Sequence, residues 1–145
     1  SQWYTSLFTD NNTLFNTAEQ YMMFHKALLF NDTVIAKQIL LEKHPFKQKE
    51  LGKQVKGFDV DKWVEYREQI VTDGNVLKFT QNQDLKELLF STGNKILVEG
   101  SPKDRIWGVG LYYEDDLILD ESNWKGLNLL GKCLMEVRSK INPTI

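Results

Sequence analysis

Apolar residues along this chain recur mostly at helical spacing, and stretches rich in Asn, Asp, Gly and Pro interrupt them. From Trp3 to Asn16, aromatics flank Asp10-Asn11-Asn12, a pattern that predicts two short strands around a turn. Thr17, with Gln20 three residues on, reads as a capping box. It opens a helix to about Phe30 whose apolar face is Ala18, Tyr21, Met22, Leu28 and Leu29. Asn31-Asp32 restarts a helix through Val34, Ile35, Ile39 and Leu40. His44-Pro45 ends it, because proline disfavours helical geometry in the residue before it. Pro45 itself opens the next helix, which Gly52 or Gly57 limits. Asp59 caps a long segment carrying Trp63, Tyr66, Ile70, Val76, Leu77 and Phe79, with a kink or break expected at Gly74. Asn82 caps a short helix through Leu85, Leu88 and Leu89, closed by Gly93.

Ile96-Leu97-Val98 has the character of a short strand, Ser101 to Gly110 reads as a loop, and Glu114 to Glu121 as an acidic insert. A last helix is predicted from about Gly126 to Ile141, carrying Leu127, Leu130, Leu134 and Val137, with Pro143 just past it. There is no repeat, low-complexity tract or linker. The pattern therefore predicts an α+β fold that is mainly α: one compact helical domain over residues 1–145 with a few short strands.

Composition narrows the function more than the fold. A chain of 145 residues is the size of one domain and buries roughly two-thirds of its unfolded surface. A net charge of -2 excludes binding of nucleic acid by bulk charge, though not by a local basic patch. Cys133 stands alone among leucines, as a buried thiol would, and points to a reducing compartment. No apolar run nears the roughly 18 residues of a membrane span, so no membrane partner is expected. The start, Ser1-Gln2-Trp3-Tyr4, shows no secretory signal. Ser1 in place of Met is read as a trimmed end, with any targeting segment upstream lost. The expectation is a soluble protein of the cytoplasm, with the nucleus also open to it.

General motifs are missing: there is no Walker loop, HExxH, CxxC or GxSxG. Gly108 and Gly110 resemble half of a dinucleotide fingerprint, but a tight turn explains them better. His25 and His44 are too few for a metal centre, and the acids of 114–121 lack the spacing of a known cation loop. No metal and no cofactor is expected. Lys43, Lys47, Lys49, Lys53 and Lys56 form a basic stretch, with the last three expected on one helical face. That face is either simply solvated or an electrostatic guide for phosphates.

Five segments carry a resemblance. They are Thr17-Ala-Glu-Gln-Tyr-Met-Met, Gly52-Lys-Gln-Val-Lys-Gly-Phe, Gly74-Asn-Val-Leu-Lys-Phe-Thr-Gln-Asn, Leu97-Val-Glu-Gly-Ser-Pro-Lys-Asp-Arg-Ile-Trp-Gly-Val-Gly and Trp124-Lys-Gly-Leu-Asn-Leu-Leu-Gly. In order and spacing they resemble the motifs of the NADAR (YbiA-like) N-glycosidase superfamily, from about Trp3 to Arg138. The resemblance implies hydrolysis of a bond between a ribose anomeric carbon and an exocyclic nitrogen of an aminated base. It also implies a nucleotide-like substrate, of one of two classes: ADP-ribose on guanine of DNA or RNA, or a ribosylamino-pyrimidine phosphate of riboflavin synthesis. Thr5 and Leu7 stand where the family usually has prolines, and His25 where it has Gln or a small residue.

Glycosidic cleavage passes through an oxocarbenium-like state, which calls for negative charge near the sugar and a proton for the leaving nitrogen. Glu19 and Asp104 are the candidate catalytic acids, because each lies inside a family motif rather than in a charge run. Glu19 would sit in a first helical turn, where the helix dipole stabilises a carboxylate whether or not it is catalytic. Lys26, roughly 10 Å further along the same face, would neutralise a phosphate or sugar oxygen, unless it is an ordinary surface lysine. Asp104 would activate water or steady the cation, or else cap a turn. Trp107 would stack on the departing base or pack in the core. Glu99 is a second-choice acid beside Ser101 in the same loop; Arg105, Arg67 and Lys56 are candidate phosphate clamps. Asn75 and Asn128 are candidate partners of ribose hydroxyls. The competing expectation is a non-catalytic ADP-ribose or nucleotide-binding module, against which the presence of both acids argues.

Overall fold

A computed structural model describes residues 1–142; Pro143, expected just beyond the last helix, lies outside the described residues. The chain forms two compact units, Ser1–Leu88 and Leu89 onward. The described residues are mainly helical with one two-stranded sheet, as the sequence pattern predicts.

The first unit opens with an antiparallel hairpin, β1 (Phe8–Asp10) and β2 (Thr13–Phe15), in which Phe8 faces Phe15 and Asp10 faces Thr13. Asn11 and Asn12 take φ of 48° and 70°, the left-handed pair that a two-residue hairpin turn requires and that Asn tolerates well. Four helices follow: α1 (Ala18–Leu29), α2 (Thr33–Leu41), α3 (Pro45–Gly52) and α4 (Val60–Thr80). α1 packs against α2, α3 and α4. Phe8, Phe15 and Tyr21 form a buried cluster with Phe24, Leu40, Ile70 and Leu77 packed around it.

The caps behave largely as expected. Thr17 Oγ1 accepts the Gln20 N–H at 2.9 Å, but Gln20 reaches back to the N–H of Asn16 (2.8 Å), one residue earlier than a capping box predicts. Gln20 Nε2 meanwhile bonds the carbonyl of Ile39 at 3.0 Å, so one side chain ties α1 to the end of α2. Leu28, expected on the buried face of α1, is exposed; Met23 and Ala27 are buried instead. α4 runs through Gly74 without the break that the sequence allows there. The absence of a side chain there makes room for the Tyr21 ring, so this glycine serves packing. α3 stops at Gly52, so Lys49, Lys53 and Lys56 do not share a helical face.

α5 (Gln83–Ser91) spans the boundary between the units, and Gly93 closes it at φ +57°. In the second unit, Ile96–Val98 is not a strand. Its neighbouring backbone groups bond a side chain: Leu97 O accepts from Asn128 Nδ2 and the Glu99 N–H donates to Asn128 Oδ1, both at 2.9 Å. Two 3-10 turns, Asp116–Leu119 and Glu121–Asn123, occupy the acidic insert. α6 (Leu129–Ile141) begins three residues later than expected, after Asn128 in a left-handed conformation. Cys133 is buried, as its leucine-rich surroundings imply. No described helix is long and apolar enough to cross a membrane.

Candidate active site

The first unit gathers its charged candidates along α1. Glu19, in the first turn, is buried, and its N–H donates to the Gln2 carbonyl at 2.9 Å. Gln2 Oε1 in turn accepts from Asn75 Nδ2 (3.1 Å), and the same Nδ2 donates to the Val71 carbonyl at 2.8 Å. Asn75 is thus buried and bonded within α4 and to the segment lying over Glu19. Lys26, two turns on along α1, is half-buried, with Nζ 4.8 Å from the centre of the Phe58 ring and 5.6 Å from that of Trp63. Burial pulls its pKa below the ordinary lysine value, and the charge of Glu19 partly opposes that. A lysine held low by burial gives up its proton more readily, which suits it to act as a base or as an amine nucleophile.

The remaining candidates of this unit are less central. Arg67 lies one turn beyond Trp63 on α4, and its Nε is shielded from solvent without an acceptor among the described residues. The Lys56 side chain is exposed; its N–H donates to Asp32 Oδ2 at 2.9 Å. Lys78, not singled out by the sequence, is almost wholly buried, donates to the Ser1 carbonyl at 2.9 Å, and is pushed down to about 8 by burial.

The second unit brings Glu99, Ser101, Asp104, Arg105, Trp107 and Asn128 into one hydrogen-bonded knot. Asp104 Oδ1 accepts from the N–H groups of Ile106 (3.0 Å) and Trp107 (2.8 Å), the turn-capping role. Glu99 O accepts from the Ser101 and Val109 N–H groups. The N–H groups of Leu127, Asn128, Leu129 and Leu130 donate to the carbonyls of Arg105, Gly108, Ile106 and Trp107 at 2.9–3.1 Å. Loop carbonyls therefore occupy the amino end of α6, which in other folds receives phosphate. Asn128, almost wholly buried, has both ends of its carboxamide engaged on the 97–99 backbone. The Arg105 side chain is exposed and Trp107 is partly so.

Both clusters fall within the residues that a family model matches. The model of the NADAR domain matches residues 1–142. The chain belongs to that family. It is 48% identical over 86% of its length to an N-glycosidase of Acanthamoeba polyphaga mimivirus, spanning 73% of that protein. It is 41% identical over 88% of its length to protein irg-1 of Caenorhabditis elegans, of which it spans only 61%. Among solved structures, the NMR structure of E. coli YbiA matches 97% of the chain with a TM-score of 0.78 at 26% identity, covering 76% of that chain.

Within this NADAR chain, the sequence places Glu19 and Lys26 on one helix, where the structure finds them electrostatically coupled. Phe58 and Trp63, which flank the lysine, were not legible as site residues. An aromatic near a helix start looks like core, and only its direct succession to Gly57 in the Gly52–Phe58 motif marks Phe58 out. Glu19 lies in the first unit and Asp104 in the second.

Proposed function

We propose that this chain hydrolyses the bond between a ribose anomeric carbon and an exocyclic nitrogen of an aminated base. Its class, a hydrolase of N-glycosidic bonds, follows from NADAR membership and from a relative that carries that name. The observation that supports the chemistry is the buried Glu19 coupled to a Lys26 whose pKa is lowered. Negative charge at Glu19 suits an oxocarbenium-like state, and Asp104 is the second acid, available to activate water. The lowered pKa of Lys26 favours one further route: its free amine attacks the anomeric carbon, the base departs as its amine with a proton from the attacking nitrogen, the sugar ring opens to an imine, and water hydrolyses that imine.

Two substrates fit: ADP-ribosylated guanine in DNA or RNA, and ribosylamino-pyrimidine phosphates. Both are presented side by side and the products weighed by mass spectrometry. Free ADP-ribose with restored guanine assigns the first, and ribose 5-phosphate alone the second. Tight ADP-ribose binding without product from either would leave a binding module. Full hydrolysis by folded Glu19→Gln and Asp104→Asn variants would refute the two-carboxylate scheme. Borohydride trapping of a covalent adduct, lost in Lys26→Met, would select the amine route.

A further inference from the structure

We infer, building on the N-glycosidase assignment above, that Phe58 backed by Phe30 is a stacking platform for the planar heterocycle of a nucleotide ligand. Phe58 is 46% exposed, which in an isolated surface aromatic would carry no meaning. Its surroundings set it apart. The Lys26 ammonium, the group coupled to Glu19, lies 4.8 Å from the ring centre, so the aromatic surface adjoins the candidate chemistry. Phe30 braces the ring at 5.3 Å and 55°, and Lys62 Nζ lies 5.9 Å from the Phe30 centre.

The backbone before Phe58 is held in place. Buried Asp32 caps α2 through Oδ1, bonded by the Ile35 N–H at 3.0 Å, and holds the Lys56 N–H through Oδ2 at 2.9 Å. Gly57 then supplies a left-handed turn at φ +77°. A largely buried carboxylate with both oxygens engaged fixes an aromatic residue two positions after the loop N–H it binds. Exposed aromatic surface with Lys26 beside it and Lys62 against the bracing Phe30 fits a phosphate-bearing, electron-rich ring better than an apolar side chain.

Calorimetry on the full chain tests this with ADP-ribose, guanosine monophosphate and ribose 5-phosphate. In the unaltered protein at least one of the two nucleotides binds more tightly than ribose 5-phosphate. Phe58→Leu weakens that binding by roughly 5- to 150-fold and leaves ribose 5-phosphate unchanged. Phe58→Tyr, which keeps the ring, retains it, with melting curves confirming that each variant is folded. The nucleotide that loses more tells whether adenine or the base of the scissile bond stacks there. Equal binding by Phe58→Leu and the unaltered chain overturns the inference, as do nucleotides that bind no better than ribose 5-phosphate. Failure to hydrolyse any substrate would end the N-glycosidase assignment yet leave this binding result standing.

Discussion

Lys26 is subject to two opposing influences, burial that lowers its pKa and Glu19 that raises it, with burial the larger. Removing the carboxylate leaves burial unopposed. In Glu19→Gln the Lys26 amine therefore titrates at still lower pH, readable by NMR of 13C-methylated lysines; an unmoved titration would show that the two groups do not interact. The same substitution lowers kcat by about 10²- to 10⁴-fold, the span usual for one acid–base group, while the fold persists. Asn128 offers a contrasting case, in which the side chain supports backbone. Its carboxamide donates to Leu97 O and accepts from the Glu99 N–H from a site 1% exposed. Asn128→Asp turns a donor into an oxygen facing that carbonyl, at an expected cost of about 2–3 kcal/mol. Urea unfolding measures it, and an unshifted midpoint would mean that the carboxamide is not needed there.

At the scale of elements, α6 approaches the 97–99 segment through Gly131, where a Cβ would run into the Leu97 carbonyl oxygen and the Asn128 amide. Alanine is the better helix former by about 1 kcal/mol, yet here it forces helix and segment apart. Gly131→Ala is expected to destabilise by about 1–3 kcal/mol in thermal or urea unfolding; a neutral or stabilising result would show that the segment has room to yield. The same contrast explains which elements could be read in advance. Asp10-Asn11-Asn12, Thr17, Pro45 and Asp59 act on their own neighbours, so the turn, the caps and the helix starts were legible. Gly74 was misread as a break because the Tyr21 ring that it accommodates lies on another helix. Ile96–Val98 resembled a strand because composition does not reveal that a distant Asn128 takes its hydrogen bonds. The site divides the same way. Glu19 and Lys26 share a helix and a period, whereas Phe58 meets Lys26 only through tertiary packing.

For the whole described molecule, the shifted groups together set how stability follows pH. On the acid side, Asp32 and Glu42 are held below the ordinary range mainly by backbone N–H groups of Lys56 and His44, and Asp120 by Ser122. Their contributions are fully present above the unfolded carboxylate values and are lost as pH falls through the lowered folded ones. His25 is lowered from 6.5, chiefly by burial, so the unfolded chain takes up its proton first and stability declines as pH drops below about 6.5. On the alkaline side, burial brings Lys78 from 10.5 to about 8. Between those values the unfolded chain holds a proton that the folded chain has released, so stability rises with pH, and Lys26 contributes in the same direction. Tyr21 opposes this above pH 10: burial and then Asp10 raise its pKa, so the unfolded chain ionises first and the fold loses ground. Burial of Lys78 and Lys26 thus extends the rise in stability into the alkaline range, and Tyr21 limits it above pH 10. Lys78→Met should flatten the climb between pH 8 and 10 and leave the acid limb unchanged, as measured by urea midpoints across the range. A climb as steep in Lys78→Met as in the unaltered chain would mean that the lysine stays charged in the folded protein, and burial of its amine would then not govern the alkaline limb.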